Sequence, residues 1–469
     1  MAGFRTEKDS LGTKKVPQKA YYGINVARAV ENFQISDERL PQALIRALAL
    51  IKQAAAYANA ETGLLDRKRA DAIARAADEV ADGALAEQFV VDAFQAGAGT
   101  SQNMNANEVI ANRANELLGG KRGDYQLVHP NDHVNMGQST NDVFPTAMRV
   151  SALLMLPELL ESLDELASQL AAKGRELKSV LKSARTHLQD AVPVTLGQEF
   201  AAYAAAVSKS RRRIQRASED LYNLGIGGSA AGTGMNTHPR YRKLIVKRLC
   251  ELTGLRLKAA PDMREAMQSQ ACIAELSSAL RGYALELGRI ANDLRLLGSG
   301  PTTGLAEVRL PAVQAGSSIM PGKVNPVIAE CTNMVCFQVI GNDLTINLAV
   351  SAGQLELNVM MPVMIHNLLR SMQILGATSR NLAQRCIAGI EADVERCRAY
   401  AEGSMGMATA LAPYVGYLKA AEVAKRSQAQ GRSIAQLAAE LDGIDRKQLD
   451  KILDAASLTR PGIPGKKLK

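Results

Sequence analysis

Tryptophan is absent from the sequence, and aromatic residues of all kinds make up only 4% of its 469 positions. Single-stranded nucleic-acid grooves use aromatic rings as stacking platforms, so this scarcity argues against that class. The formal charge of +9 is the one feature in its favour. The basic residues are scattered, however, as in "SKSRRRIQRASED", and such a surface suits the steering of small anionic substrates. No nucleic-acid partner is expected. Histidine occurs five times and cysteine six. Cys250, Cys272, Cys331, Cys336, Cys386 and Cys397 include no C-x-x-C pair, so they read as reduced, mostly buried thiols of a cytoplasmic protein. The opening "MAGFRTEKDSLG" lacks the apolar core of a signal peptide, and no uncharged apolar run of about 18 residues follows. Neither secretion nor a membrane partner is indicated.

What the chain does have is helix-forming apolar sequence. Hydrophobic residues are 47% and charged residues 22%, enough for a large core and more than one domain. Ile273, Leu276, Leu280, Tyr283, Leu287, Ile290, Leu294 and Leu297 step alternately by three and four, the seam of helices packed nearly parallel. Leu156, Leu159, Leu163, Leu166 and Leu170 form a second stripe, with Pro157 expected in the first turn of its helix. The runs 194–222 and 363–385 predict two more helices of bundle length, and 40–61 and 67–82 two shorter ones. Apolar faces this long exceed what one small core covers, so oligomerisation is expected to complete the bundle. Beyond about residue 395, shorter helices alternate with "APYVGY" and "QAQGRS", where Ser433 has the character of an N-cap. The tail "SLTRPGIPGKKLK" reads as a mobile loop. The expected fold is mainly all-α, in three domains: 1–138 mixed but mostly helical, 139–394 the central helical bundle, and 395–469 a small helical domain.

Four polar islands interrupt this sequence: "GAGTSQNMNANE" from Gly97, "HPNDHVNMGQSTND" from His129, "ARTHLQDAVPVTLGQE" from Ala184 and "AGSSIMPGKVNP" from Ala315. Each borders a long helical run, so it can present side chains and free amides at a helix end. Many neutral hydrogen-bond donors with few charges suit a small dicarboxylate better than a nucleotide or a metal. A Walker-type phosphate loop is excluded, because five residues separate Gly316 from Gly322 and Val324 follows Lys323. "GIGGSAAG" at 225–232 is weak as a dinucleotide loop, since a long helix and not a strand precedes it. His129 and His133 have H-x-x-x-H spacing beside Asp132, yet Pro130 argues against one helical face carrying both, and no metal is expected. His238 and His366 read as core or surface residues.

Taken together, the islands resemble the fumarase/aspartase superfamily. "GSSIMPGKVNP" is similar to its signature. "RTEKDSLGTKKVP", "GTSQNMNANEV", "QSTND", "RTHLQDAVPVTLGQE" and "AGQLELNV" are similar to further blocks in the same order, from about residue 5 to beyond 420. The resemblance implies elimination of a group β to a carboxylate with release of fumarate, and no cofactor. It also implies three helical domains, a twenty-helix homotetramer core and active sites that combine islands from three subunits. Ala98 and Thr140 match the ammonia-releasing branch, and "AYYG", "QAGSS" and "AGQLELNVM" lean the same way. "RTHLQD" with His187, "PGKVNP" with Gly322 and "IHN" at 365–367 are also seen in the hydratase branch. The balance favours L-aspartate over L-malate. A catalytically silent scaffold, as occurs among crystallin relatives, would have lost islands, and all four are present.

By the same resemblance, Ser317 is the catalytic base. A lone hydroxyl is too weak for this task, and no His–Asp couple adjoins it. Loop amides and the following helix N-terminus are expected to hold an alkoxide when the loop closes, with Lys323 adding positive charge. Pro321 and Gly322 give the loop stiffness and freedom. Thr100, Ser139, Thr140 and Ser318 match the donors around the β-carboxylate, which becomes a doubly charged aci form in the transition state. Lys323 and Asn325, helped by Thr186, match the α-carboxylate clamp. Thr186, His187 and Asn141 match groups around the amino end, and Glu330 matches the carboxylate that pairs with His187. His129, Asn131 and Asp132 resemble a second, non-catalytic anion-binding region and read equally as a surface loop.

Overall fold

A computed structural model describes residues 3–441 and 443–466. The short helices α1 (Ile24–Asn32), α2 (Gln42–Glu61), α3 (Arg67–Ala81) and α4 (Thr100–Leu117) precede the long α5 (Thr140–Glu176) and α6 (Leu196–Ala217). Then come α7 (Tyr241–Thr253), α8 (Met263–Gln268) and three more long helices, α9 (Ala271–Leu297), α10 (Val327–Ser351) and α11 (Met361–Arg385). The chain ends in α12 (Val394–Gly403), α13 (Ala412–Val415), α14 (Tyr417–Gln430), α15 (Ile434–Ala438), α16 (Arg446–Ile452) and α17 (Ala455–Leu458). Strands are few and two-stranded. Hairpin β1 (Phe4–Asp9) with β2 (Gly12–Pro17) and hairpin β3 (Leu181–Thr186) with β4 (Gln189–Thr195) are antiparallel. Two-residue pairs join β5 (Asn223–Leu224) to β6 (Lys258–Ala259) and β7 (Val308–Arg309) to β8 (Glu391–Ala392).

The alternating seam of α9 is buried throughout, Ile273 to Leu297 at 5% exposure or less, and so are the leucines of α5 from Leu156 to Leu170. Pro157 is not in a first turn. It lies in the middle of α5, as does Pro145 near its start. A proline inside a helix costs about 3 kcal/mol, and burying each leucine contributes roughly 1.5–3 kcal/mol, so a few turns of the stripe outweigh it.

The chain divides into two compact units, one of residues 1–161, 212–284 and 336–376, the other of residues 162–211, 285–335 and 377–469. Helices α5, α6, α9, α10 and α11 each contribute to both. In the first unit, α2 packs on α3 and α7. Ser277 and Arg281 of α9 hold Asp343 of α10 at 2.6 and 3.1 Å, and Asn342 of α10 donates to Ser371 of α11 at 3.0 Å. In the second unit, Arg211 of α6 pairs with Asp164 of α5, Tyr203 of α6 donates to Asp293 of α9, and Arg295 of α9 reaches Asn333 of α10.

The C-terminal helices pack around Leu411, Val423, Leu437 and Ile452. Ser433 caps α15 in a reciprocal box with Gln436, as its sequence suggests. The tail is tied down, in contrast to the expectation of mobility: Tyr414 donates its hydroxyl hydrogen to the Pro464 carbonyl, and the Lys466 ammonium lies over the Tyr414 ring. Residues 467–469 of that tail lie outside the described residues.

Candidate active site

The second island sits at the start of α5. Ser139 accepts a hydrogen bond from Asn141 N at 3.2 Å, while Asp142, three residues on, accepts from Ser139 N at 2.9 Å. This reciprocal cap fixes Ser139, Thr140 and Asn141 at a helix N-terminus, where anions are favoured. The other oxygen of Asp142 accepts from Gly227 N at 2.9 Å and Ser229 N at 3.0 Å. The "GIGGSAAG" loop, preceded by the two-residue strand β5 and not directly by a long helix, therefore does cradle an anion, and the anion is the chain's own carboxylate. The same loop takes a hydrogen bond from Asn141 Nδ2 through Ala230 O at 2.9 Å.

Behind Thr140 lies a buried polar network. Asn103 Nδ2 donates to Thr140 Oγ1 at 3.0 Å and approaches Asn135 Oδ1 at 3.4 Å. Lys52 Nζ donates to that Asn135 oxygen at 2.9 Å and to Gln138 Oε1 at 3.0 Å. Lys52 and Asp142 are both fully buried. Burial brings the ammonium down to about 7 against the pull of Asp142, and raises Asp142 to about 6 against its three amide donors and the Lys52 charge.

The first island begins α4. Gly99 has φ +80°, and a Cβ there would stand 2.2 Å from the Phe144 ring, so only glycine admits the turn that places Thr100 on the first helical residue. Thr100 is exposed, with its hydroxyl 3.4 Å from Gly97 O. All three clusters above belong to the first unit.

Thr186 and His187 belong to the second unit, at the tip of the β3–β4 hairpin. His187 and Leu188 have φ of +57° and +59°, a two-residue turn of the kind that matches strand twist but usually takes Asn-Gly. Both side chains are exposed. The base of the hairpin is locked by Glu307, fully buried, whose carboxylate lies 3.0 Å from Lys182 Nζ and 3.0 Å from Arg185 Nη1.

The fourth island forms a closed loop ahead of α10. Gly316 backs so closely onto the returning segment that a Cβ would lie 2.0 Å from Lys323 O, and Asn325 Nδ2 donates to Gly316 O. Ser317 Oγ accepts from Met320 N at 2.9 Å and Ile319 N at 3.2 Å. No acidic or basic side chain hydrogen-bonds it among the described residues. Ser317 and Lys323 line one cavity of about 520 Å³, and Ser318 is exposed beside them. Glu330 lies in the first turn of α10. Within one chain, no hydrogen bond or ion pair joins it to His187 among the described residues.

His129 to Val134 form a single wide turn. His129 Nδ1 accepts from Asn131 N and Asp132 N at 3.3 and 3.2 Å and lies 3.3 Å from Asp132 Oδ2. His133 Nδ1 accepts from His129 N at 2.8 Å. His238 and His366 serve local structure, accepting from Arg240 N at 3.1 Å and lying 3.0 Å from Glu38.

With this geometry in place, comparison with known proteins decides the family. A family model described as Lyase matches residues 12–341, and one described as Fumarase C C-terminus matches 407–460. The chain belongs to this lyase family. It is thus an enzyme, a lyase of the fumarase/aspartase superfamily with the mainly helical fold expected from its sequence. An aspartate ammonia-lyase of Bacillus subtilis (strain 168) is 48% identical over 99% of this chain and 98% of its own length. A class II fumarate hydratase of Bradyrhizobium diazoefficiens is 46% identical over 98% of this chain and 97% of its own. The crystal structure of fumarate lyase:delta crystallin from Brucella melitensis bound to cobalt is 51% identical, with TM-score 0.95, covering 98% of this chain and 100% of that one.

Proposed function

We propose that this lyase is an aspartate ammonia-lyase, converting L-aspartate reversibly to fumarate and ammonia. Ser317 takes the proton from C3, the electron pair forms the C2–C3 double bond, and the C2–N bond breaks as ammonia leaves with its bonding pair. The observation that carries this reading is the pair of amide hydrogen bonds into Ser317 Oγ. Donors aimed at an oxygen favour its charged form, so the loop supplies to an alkoxide what a neighbouring base would supply elsewhere. The full-length similarity to aspartate ammonia-lyases supports the substrate. A hydratase acting on L-malate is the second reading, favoured by the comparable similarity to class II fumarate hydratases.

In this mechanism Thr100, Ser139, Thr140 and Ser318 donate to the aci-carboxylate, Lys323, Asn325 and Thr186 hold the α-carboxylate, and His187, paired with Glu330, stands with Asn141 at the amino end. These groups come from different islands, and sharing them among three subunits of a homotetramer is consistent with His187 and Glu330 making no hydrogen bond or ion pair within one chain among the described residues. The three-domain division at 138 and 394, a cytoplasmic setting for the six unpaired cysteines and an anion site at His129, Asn131 and Asp132 belong to the same proposal.

Incubating the purified protein separately with L-aspartate and L-malate, and following fumarate by ultraviolet absorbance, tests the substrate. Fumarate from L-malate alone would replace the preferred reading with the second. Ser317→Ala is expected to abolish turnover while equilibrium binding of aspartate persists. Near-normal turnover in that variant would remove Ser317 from the role of base.

A further inference from the structure

We propose that Lys52 is a positioning residue that fixes the direction of hydrogen bonding at Thr140, so that the Thr140 hydroxyl is left free to donate. The inference rests on the reading of Thr140 as a donor to the substrate carboxylate.

An amine on a lysine side chain offers hydrogens, and as an ammonium it offers nothing else. Lys52 Nζ faces Asn135 Oδ1 and Gln138 Oε1. Both amides are thereby held in one orientation. Gln138 spends its nitrogen on Val134 O at 3.0 Å and Met136 O at 3.2 Å, and Asn135 spends its own on Gln138 O at 3.2 Å. Asn103 meets Asn135 at the same oxygen that Lys52 holds, so Asn103 must present its nitrogen there. The other hydrogen of that nitrogen goes to Thr140 Oγ1. Thr140 is thus an acceptor inside the protein, and its single hydrogen remains for a ligand.

Reversal of this relay would be damaging. With Asn103 turned, Thr140 would donate to the Asn103 oxygen and could offer a carboxylate only lone pairs. The present orientation leaves Asn103 Oδ1 buried without a hydrogen-bond partner among the described residues. A buried unpaired acceptor is unfavourable, so the relay is held against a local cost, as expected when its direction is imposed from Lys52. A buried ammonium is itself expensive where only neutral oxygens meet it.

A double-mutant cycle on the intact enzyme tests this. Thr140→Val is expected to lower kcat by about 100-fold, in the range for loss of one transition-state donor. Lys52→Met is expected to lower kcat by about 10- to 100-fold with KM changed far less. The double variant should be no slower than Thr140→Val alone, because Lys52 acts through that hydroxyl. Lys52→Gln, which restores two N–H donors without charge, should recover part of the loss. Wild-type kcat in Lys52→Met, or fully multiplicative losses in the double variant, would overturn the role of Lys52 and leave that of Thr140 standing. Equal kcat in Lys52→Gln and Lys52→Met would overturn it too, since charge alone would then matter. Wild-type kcat in Thr140→Val would instead overturn the reading of Thr140 itself.

Discussion

At the scale of single residues, the protein works by deciding which polar atoms are already spent. Ser317 Oγ is filled by two backbone donors, Thr140 Oγ1 by Asn103, and His129 Nδ1 by two amides of its own turn. The hydroxyl residues were legible in the sequence because they stand in short islands at helix starts, where local chemistry is enough to single them out. Lys52 and Asn103 were not, because their partners come from remote segments. A signal for Lys52 did exist: it is the lone charge in "LALIKQAAAYANA", with small or apolar residues three and four positions away on both sides. Glu108 of α4, the last residue of the first island, is a further buried carboxyl. It accepts from Gly23 N, Asn25 N and Val26 N at the start of α1, yet burial raises it to about 7 from an ordinary 4.5. Between those values the folded chain keeps a proton that the unfolded chain has released. Stability from this group is therefore complete below pH 4.5 and is lost as pH rises through 7. Urea unfolding from pH 4.5 to 7 should show a component with a slope of at most about 1.4 kcal/mol per pH unit. That component should vanish in Glu108→Leu, and an unchanged slope would place the proton elsewhere.

At the scale of elements, the hairpin β3–β4 shows how a polar tip is aimed by a buried base. Its tip residues His187 and Leu188 adopt positive φ without being glycine or asparagine, a local strain of the kind that persists only when the surroundings impose it. The imposing group is Glu307, which meets both Lys182 and Arg185 of β3. Lys182 is 2% exposed and has Glu199 as its only other ion-pair partner among the described residues. Glu307→Gln is expected to cost about 3 kcal/mol in chemical denaturation, as breaking a buried ion pair does, and to reduce kcat/KM by moving Thr186 and His187. A variant of wild-type stability would show that the hairpin is held by its strand pairing alone. The helices themselves were largely legible: 40–61, 67–82 and 363–385 fall within a few residues of α2, α3 and α11. Pro157 lies inside α5 and not in a first turn because its cost, though real, is smaller than the burial of the stripe around it.

At the scale of the whole molecule, α10 is the element that one chain leaves incomplete. By length and composition α5 and α10 are both apolar enough to cross a membrane, but the apolar stretch of α5 is 78% buried in the chain's own core and that of α10 only 33%. Met334, Phe337, Leu344 and Leu348 are 63–66% exposed, in steps that continue a three-four seam through Gly341. An exposed apolar stripe of this length marks an interaction surface. Helix length and apolarity alone predict uncovered faces on the long helices in general. In the structure the seams of α5 and α9 are satisfied, and the uncovered one is on a helix that is apolar nearly all round, so that no periodicity set it apart. If this stripe is an interface of the proposed homotetramer, Phe337→Glu with Leu344→Glu is expected to lower the mass of the wild-type assembly in size-exclusion light scattering, with activity lost alongside. An unchanged mass in that variant would exclude this stripe as the interface.

Helix positions, the seams of α5 and α9 and the four polar islands were determined by the sequence alone, because each depends on residues within a few turns of one another. The tertiary structure decided which donors and acceptors remain free, which carboxylate occupies the glycine-rich loop and which helix face is left bare. Those outcomes depend on groups brought together from distant parts of the chain, where burial makes every unpaired polar atom and every uncovered apolar surface count.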